Sequence, residues 1–317
     1  MALGEFDLIE RFFSRPSRRR DVLLGVGDDA ALLAVPPGLA LVAATDTLVE
    51  GRHFLVGTPP EAIGHQALAV NLSDLAAMGA EPAWALMSLS LPDVRESWLE
   101  RFAAGLYVLA DTHGVDLVGG DTVRGPLVVT IEVLGFVEPA LALKRSNAQP
   151  GDLLYVSGWP GEAAAGLATL QCGGSMAAQD PLVRRFLYAE PRLALGRALR
   201  GRASAAMDVS DGLLGDLGKL CRASGLGARL DLECLPVSTE LARRHARDAC
   251  ERFVLSGGDD YELLFTVPPT RAEQLEADLR PLCPLTRIGA IESGRDVRCL
   301  RDGVATDVRG EGYDHFA

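Results

Sequence analysis

The chain has 317 residues and a formal net charge of −12, with 43 acidic side chains against 31 basic ones. This balance argues against non-specific nucleic-acid binding, which needs lysine and arginine to neutralise phosphates. Hydrophobic residues make up 48% of the chain, but no stretch approaches the ~20 apolar residues of a membrane helix and the N-terminus has no features of a secretory signal, so we expect a cytoplasmic protein that binds no membrane.

The first half of the chain mixes helical and strand patterns. Apolar periodicity predicts helices at 5–13, 61–78 and 94–112, and strands at 39–44, 116–118 and 127–137. Asp93 is a candidate N-cap of the third helix. Gly79 and Gly114 are typical of the positions just after a helix ends.

The second half has the same mixed character. It predicts helices at 161–171, 191–200, 213–224 and 270–280, and strands at 205–209, 229–234, 262–267, 285–290 and 296–301. Between the halves, residues 139–152 contain Pro139 and the pair Pro150-Gly151, which is typical of a linker. We therefore predict an α/β (α+β) protein with an N-terminal domain at 1–140 and a C-terminal domain at 141–317.

Aspartates occur in six turn-like segments, most of them at the end of an apolar strand. They are Asp28-Asp29, Asp46, Asp74, Asp121, Asp208 with Asp211, and Asp259-Asp260. Any one of them is explained by turn formation or helix capping. Together they stand beside Gly and Thr rather than Lys or Arg, so that they lack obvious ion-pair partners and would repel one another in a shared cleft without a cation. Donor sets of oxygen alone favour Mg²⁺ or Ca²⁺.

The spacing of the aspartates and the missing motifs narrow the chemistry. The alternating acidic pattern of Ca²⁺ loops is absent, whereas Mg²⁺ usually binds one or two carboxylates together with substrate phosphates. The chain has no G-x-x-x-x-G-K-[ST] motif, and the near-match to a dinucleotide loop at 25–30 leaves little room for a helix before Pro36. We predict several Mg²⁺ ions between these turns and a polyphosphate, in a kinase or in a phosphohydrolase that activates water.

Nine blocks between residues 4 and 316 resemble the thiamine-monophosphate kinase family. They read GEFDLIERFF, GVGDDAALL, TDTLVEGRHF, ALAVNLSDLAAMGAEPAW, GGDTVRGPL, KRSNAQPGD, DVSDGLLGDL, SGGDDYELLFTV and GYDHF. Each is weak alone, but their shared order over the whole chain is specific. The resemblance implies the two-domain fold of the aminoimidazole-ribonucleotide synthetase superfamily, and a homodimer whose N-terminal domains form a central barrel. It also implies phosphorylation of thiamine monophosphate to thiamine diphosphate by ATP.

The resemblance implies site residues position by position. The implied metal ligands are Asp29, Thr45, Asp46, Asp74, Asp121, Asp208 and Asp211. The implied ATP contacts are Tyr107, Gly120, Asp121, Arg145 and Ser210, and the implied contacts to thiamine monophosphate are His53, Asp259 and Tyr313. The family often has Glu where this chain has Asp259, so that its contact would be shorter or bridged by water. Ala44 stands where relatives can carry a hydroxyl residue, which removes one metal contact.

The acceptor that the resemblance implies needs no general base. A phosphate monoester has a second pKa of about 6, so that its oxygen is already ionised near neutral pH. We predict direct in-line transfer in which catalysis consists of positioning and charge neutralisation. Other ATP-dependent enzymes of the superfamily are the alternatives. The first cysteine at Cys172 disfavours selenophosphate synthetase, and the ending at Ala317 without a cysteine disfavours the hydrogenase-maturation relative.

Overall fold

The computed structural model describes residues 4–308 and divides into two compact units. The first unit contains the chain up to Leu75 together with Ala80–Ala140, and the second contains Ala76–Gly79 together with the chain from Leu141 onward. Among the described helices, none is both long enough and apolar enough to cross a membrane.

The first unit is built on a four-stranded sheet with the order β3-β6-β4-β5. Strands β4 and β5 are parallel, and the other two pairs are antiparallel. Its elements are α1 (Glu5–Phe12), β1 (Val22–Leu24), β2 (Leu32–Leu33), β3 (Ala40–Val49), α2 (Pro60–Ala77), β4 (Glu81–Leu91), α3 (Glu96–His113), β5 (Asp116–Arg124) and β6 (Val128–Val137). The short strands β1 and β2 form a separate hairpin.

The two faces of this sheet differ in burial because side chains alternate along each strand. In β6, Val129, Ile131 and Val133 are fully buried, whereas Glu132 between them is exposed. Helix α2 covers the buried face, since a Cβ built at Gly135 would lie 3.1 Å from Leu75 Cδ1. The first unit therefore has one helix-covered face and one partly open face.

Two glycines allow α2 and α3 to pack with their backbones in near contact. A Cβ added at Gly64 would lie 2.1 Å from the carbonyl oxygen of Phe102, and one added at Gly105 would lie 1.9 Å from that of Glu61. No side chain fits at such distances without a shift of the backbone. The spacing of the two helices is thus set by these two residues.

The second unit is built on a seven-stranded sheet with the order β13-β12-β9-β11-β7-β10-β8. Only the β9–β12 pair is parallel among these strands. Its strands are β7 (Leu153–Ser157), β8 (Ala205–Val209), β9 (Gly227–Asp231), β10 (Glu262–Val267), β11 (Leu285–Glu292), β12 (Val297–Arg301) and β13 (Val304–Ala305). Every residue of β8 and β10 is buried, which is typical of strands that are covered on both faces.

Seven helices flank the described part of this second sheet. They are α4 (Glu162–Gln171), α5 (Pro181–Leu187), α6 (Leu193–Leu199), α7 (Leu213–Ser224), α8 (Thr239–Arg244), α9 (Arg247–Ser256) and α10 (Pro269–Leu279). The core packs α7 and α9 against the central strands through residues such as Leu217, Leu220 and Val254.

Several predicted elements are confirmed and others are wrong or were missed. Strands β8 and β10 and helix α7 match their predicted bounds. The predicted N-cap Asp93 is wrong, because α3 begins later and Arg95 occupies that position. The predicted strand at 229–234 ends at Asp231, where a 3₁₀ turn begins.

The strand β4 was missed although it lies at the centre of the first sheet. Its sequence, EPAWALMSLSL, follows the helix pattern at 61–78 with only Gly79 and Ala80 between them. Buried residues follow one another through Pro82–Ala85, so that the alternation expected of a strand is hidden. The elements β7, α5, α8 and α9 were missed as well, and the three helices are short.

Candidate functional site

A tight turn joins the end of β8 to the start of α7 in the second unit. Ser210 and Asp211 each donate a backbone N–H to Oδ2 of Asp216, both at 3.0 Å. Asp216 lies in the first turn of α7 and is fully buried, and this burial raises its pKa. Its carboxylate satisfies N–H groups at a helix N-terminus, where a negative charge is favourable. No sequence motif pointed to Asp216, although its carboxylate holds the turn.

Lys219 pairs with the carboxylates of this turn. Its Nζ donates to Asp216 Oδ1 at 2.7 Å and also to Asp211 Oδ2. Partial burial would lower the pKa of Lys219, but its hydrogen bonds to the two carboxylates raise it. The expectation that these aspartates lack ion-pair partners is therefore wrong for Asp211. The partner, Lys219, lies on α7, eight residues after Asp211. The spacing of Asp216 and Lys219, three residues apart on one helix, could have predicted an ion pair at this turn.

A loop before β10 lies against the same turn. The backbone N–H of Asp259 donates to Ser210 O at 2.9 Å, and that of Tyr261 donates to Val209 O at 2.8 Å. Asp259 and Tyr261 have φ values of 63° and 52°, in the left-handed region that costs an ordinary residue roughly 1–2 kcal/mol. The structure thus brings together Ser210, Asp211 and Asp259, which were predicted from separate motifs.

The electrostatic environment of Asp259 differs from that of an ordinary surface aspartate. Burial raises the pKa of Asp259 to about 6, and the negative charge of Asp211 acts in the same direction. The hydroxyl of Tyr261 donates to Asp259 Oδ1 at 3.2 Å and partly offsets this shift. With a pKa of about 6, the carboxyl group of Asp259 changes its protonation state close to neutral pH.

Two further predicted residues of the second unit lie at different distances from the turn. Asp208 is buried within β8, two residues before Ser210. Arg145 lies beside the other end of α7, because its carbonyl oxygen accepts a hydrogen bond from Ser224 Oγ at 2.7 Å. The length of α7, from Leu213 to Ser224, separates its two ends by roughly 16 Å. The backbone of Arg145 therefore lies beside the end of α7 that is opposite to the turn of Ser210.

Asn71 links two predicted metal-ligand segments of the first unit. Its Oδ1 accepts from the backbone N–H of Asp46 in β3 at 2.9 Å, and its Nδ2 donates to Ala67 O at 2.9 Å. Asp74 follows Asn71 by three residues and shares its face of α2. The segments of Asp46 and Asp74 therefore meet at the free edge of β3.

The remaining predicted ligands of this unit, Thr45, Asp121 and Asp29, do not share the position of Asp46 and Asp74. One row across the strands pairs Asp46, Ile131, Met87 and Gly120, and the next pairs Thr47, Thr130, Ser88 and Asp121. Because side chains alternate, Asp121 lies on the face opposite to Asp46, and Thr45 shares the face of Asp121. Asp29 is exposed between β1 and β2. In the part of the chain from 4 to 308, no three His, Cys, Asp or Glu side chains are arranged to hold a metal ion.

Gly120 is required by the backbone geometry of β5. It has a φ of 147°, and a Cβ added there would lie 1.8 Å from the carbonyl oxygen of Met87. Only glycine fits this approach without displacing β4. The contact of Gly120 with ATP stays a prediction, whereas the close approach of β4 explains why this position requires glycine.

Tyr107 and His53 are both engaged in local contacts. The Tyr107 hydroxyl donates to Phe13 O at 3.0 Å, the Arg15 guanidinium lies 3.4 Å from the centre of its ring, and burial raises its pKa to about 12. The ring borders a cavity of about 300 Å³ that is also lined by Arg15 and Arg18. His53 Nδ1 accepts from the backbone N–H of Val49 at 3.0 Å. Tyr313 lies outside the described residues.

Comparisons with known proteins extend over both units. The chain matches the family models of the AIR synthase related protein, with the N-terminal domain at residues 27–137 and the C-terminal domain at residues 149–301. The thiamine-monophosphate kinase of Escherichia coli (strain K12) is 49% identical over 323 residues, which cover 100% of this chain and 99% of the relative. These matches confirm the fold predicted from the resemblance, whereas the dimer barrel stays a prediction.

Two solved structures are similar along most of their length. The crystal structure of thiamine-monophosphate kinase from Stenotrophomonas maltophilia K279a is 46% identical, with a TM-score of 0.88 and coverage of 96% of this chain and 99% of that one. AaThiL complexed with AMPPCP and TMP is 33% identical, with a TM-score of 0.79 and coverage of 89% of both chains. With such identity over nearly complete chains, this protein belongs to the thiamine-monophosphate kinase family.

Proposed function

We propose that this protein transfers the γ-phosphoryl group of ATP to thiamine monophosphate and releases thiamine diphosphate and ADP. The observation that carries the proposal is the contact between the turn of Ser210 and Asp211 and the loop of Asp259. This contact brings together Ser210, Asp211 and Asp259, which are predicted to bind the nucleotide, a metal ion and the acceptor, respectively. A structure of AaThiL, a relative at 33% identity, is described as complexed with AMPPCP and TMP.

The chain's own residues bind and orient the two substrates in this proposal. The backbone N–H groups of Ser210 and Asp211 are already bonded to Asp216, so that the turn presents its side chains to the substrates. The N-terminus of α7 lies at this turn and favours an anion there. Asp259 orients the acceptor phosphate, and Tyr107 and Arg145 are proposed contacts of the nucleotide, as the resemblance implies.

The reaction proceeds by direct in-line transfer in this proposal. The acceptor oxygen is ionised near neutral pH, so that no side chain needs to remove a proton. Transfer from ATP that is chiral at the γ-phosphorus is expected to invert its configuration, because a single displacement inverts. Retention of configuration would indicate a phosphorylated enzyme intermediate and would contradict this mechanism.

The donor chemistry fits Mg²⁺ that arrives with the nucleotide. The residues that would share several such ions are Asp29, Thr45, Asp46, Asp74, Asp121, Asp208 and Asp211, all of which supply oxygen donors. Asp46 and Asp121 lie on opposite faces of one sheet, so that they would serve different ions. Residues 4–308 contain no group of three acidic, His or Cys side chains placed to hold a metal ion, and Mg²⁺ usually binds one or two carboxylates together with substrate phosphates and water. Bound there, Mg²⁺ would supply charge neutralisation as the two phosphates approach.

The proposal includes a cytoplasmic homodimer formed through the open face of the first sheet. That face carries Leu41 and Val123, which are 47% and 48% exposed, beside Thr45 and Thr47. Apolar side chains of this size at the two edges of an open sheet face favour pairing with a second copy.

The test of the reaction is release of ADP from ATP and Mg²⁺ with thiamine monophosphate, with thiamine, or with no acceptor. We expect ADP only with the monophosphate, together with an equal amount of thiamine diphosphate. Equal ADP release without an acceptor would indicate a phosphohydrolase. No release in any of the three would direct the search to other substrates of the superfamily.

A further inference from the structure

A buried charged network lies immediately next to the loop that carries Asp259. Glu262, the first residue of β10, is fully buried. Arg192 donates to both of its oxygens, from Nε to Oε2 at 2.7 Å and from Nη2 to Oε1 at 2.6 Å. Arg185 Nη2 adds a bond to Oε1 at 2.9 Å, and Ser157 Oγ adds one to Oε2 at 2.6 Å. The Glu262 carboxylate is therefore held from several directions.

Asp260 fixes the same loop at a second point. Its buried carboxylate accepts from Gly161 N at 2.8 Å and from Ala163 N at 3.4 Å, at the start of α4. Arg185 Nη2 also lies 3.5 Å from the carbonyl oxygen of Asp260. The residues on both sides of Tyr261 are thus anchored by buried side chains.

Gly158 makes room for this network. It has a φ of 58°, and a Cβ added there would lie 2.0 Å from Glu262 Oε1. A left-handed glycine is needed at this place for two reasons, the backbone angle and the space for the carboxylate. Glu262 is therefore accommodated by Gly158 just after β7, by Arg185 of α5 and by Arg192 just before α6.

A gain in stability does not by itself explain why Glu262 is buried with Arg185 and Arg192. Burying an ion pair removes both partners from water, and apolar residues of similar volume are often equally stable. The left-handed Asp259 and Tyr261 add strain, which persists only where the surroundings fix the conformation, and such sites are frequent where proteins bind or react. Both features coincide at one loop, beside the turn of Ser210.

We propose that Arg185 and Arg192 act through Glu262 as positioning residues, which hold Asp259 where it meets the acceptor phosphate. This inference rests on the proposed kinase function for the identity of the acceptor. The arginines contact neither substrate, and their effect passes through the backbone of residues 259–262. Loss of either arginine should therefore impair use of the acceptor more than use of the nucleotide.

The kinetic test compares Arg185→Gln with Arg184→Gln, its exposed neighbour on α5. We expect Arg185→Gln to raise KM for thiamine monophosphate by about tenfold while KM for ATP changes less than about twofold. Arg184→Gln should behave like the parent. Equal increases in both KM values, or equal behaviour of the two variants, would overturn the proposal. Arg192→Lys, which keeps the charge but loses the paired hydrogen bonds, is the second variant if Arg185→Gln does not fold.

A double variant tests whether the effect passes through Asp259. If Arg185 acts by placing Asp259, then adding Arg185→Gln to Asp259→Asn should raise KM for the acceptor little further. Multiplicative effects of the two substitutions would mean that they act independently, and positioning would be refuted.

Hydrogen exchange separates this inference from the proposed reaction. The amides of Asp259 and Tyr261 are bonded to Ser210 O and Val209 O, and they should exchange about tenfold faster in Arg185→Gln than in Arg184→Gln, without any substrate. Unchanged exchange would overturn the positioning role whatever the reaction is. Faster exchange in a protein that makes no thiamine diphosphate would support the positioning role and reject the kinase.

Discussion

Two carboxylates three residues apart have opposite pKa shifts, although both are buried. Burial raises the pKa of Asp259 to about 6, and the nearby carboxylate of Asp211 acts in the same direction. Glu262 is buried even more completely, yet the guanidiniums of Arg192 and Arg185 lower its pKa. Burial alone therefore does not set the charge of a carboxyl group in this loop.

The substitution Asp259→Asn is expected to stabilise the fold at pH 8 and to have little effect at pH 4. The folded pKa of about 6 exceeds the unfolded value near 3.9. The folded state therefore holds the proton more tightly, and this group lowers stability progressively as pH rises from 4 to 6. Removing the charge should add about 2 kcal/mol above pH 6, and Asn tolerates the positive φ. Urea unfolding at both pH values measures this, and a less stable variant at pH 8 would contradict it.

The substitution Lys219→Met is expected to destabilise the second unit. Asp216 is fully buried and would lose its cationic partner, and Asp211 would lose the same partner. The partial exposure of Lys219 and Asp211 moderates the loss, which we place at about 2 kcal/mol at pH 7. Urea unfolding measures it, and Lys144→Met at an exposed position of the same unit is the control. Equal stability of the two variants would show that the ion pair contributes nothing.

At the scale of elements, the closest helix contact in the first unit depends on residues that have no side chain. Helix α2 contains Gly64 and α3 contains Gly105, and each glycine faces a carbonyl oxygen of the other helix. A glycine inside a helix ordinarily weakens it relative to alanine. Here the close approach of the backbones offsets that cost through packing.

The substitution Gly105→Ala should destabilise the protein by about 3 kcal/mol or more, since the added methyl overlaps the Glu61 carbonyl. The control is Gly218→Ala within α7, where the nearest atom to the new Cβ, Arg222 Nη1, is 3.5 Å away. That variant should gain about 0.5–1 kcal/mol from helix propensity. Thermal and urea unfolding of both variants measure the contrast. Similar behaviour of the two alanines would disprove the packing account.

At the scale of the whole molecule, the net charge of −12 opposes the proposed association of two copies. Two copies of an acidic protein repel each other, and this repulsion is screened by salt. The proposed dimer through the open sheet face would therefore depend on apolar contact, for which Leu41 and Val123 are the exposed candidates.

The proposed dimer predicts a specific effect of charge on the open face. Val123→Glu should convert the dimer to a monomer, because it buries a charge in the interface and adds to the repulsion. Val108→Glu, on the exposed side of α3, is the control and should leave the mass unchanged. Light scattering coupled to size-exclusion chromatography measures both. A monomeric parent, or a dimeric Val123→Glu variant, would reject this interface.

The sequence by itself determined the elements whose signals are local. Strands β8 and β10 are short apolar runs bounded by turn residues. Helix α7 has a clear helical periodicity of apolar residues and is followed by Gly225, which adopts the left-handed conformation. The sequence blocks likewise determined the family, because their order does not depend on contacts. The strand β4 escaped because burial on both faces at its start removes the alternation that marks a strand.

Only the tertiary structure decided which side chains meet. Asp211 acquires Lys219 as its partner, and Asp259 meets Ser210 although 49 positions separate them in the chain. Asp46 and Asp121 lie on opposite faces of one sheet, which depends on strand register. Glu262 looked like an ordinary strand residue until the folded chain brought Arg185 and Arg192 to it. Contacts of this kind follow from packing between distant segments, and local propensity contains no information about them.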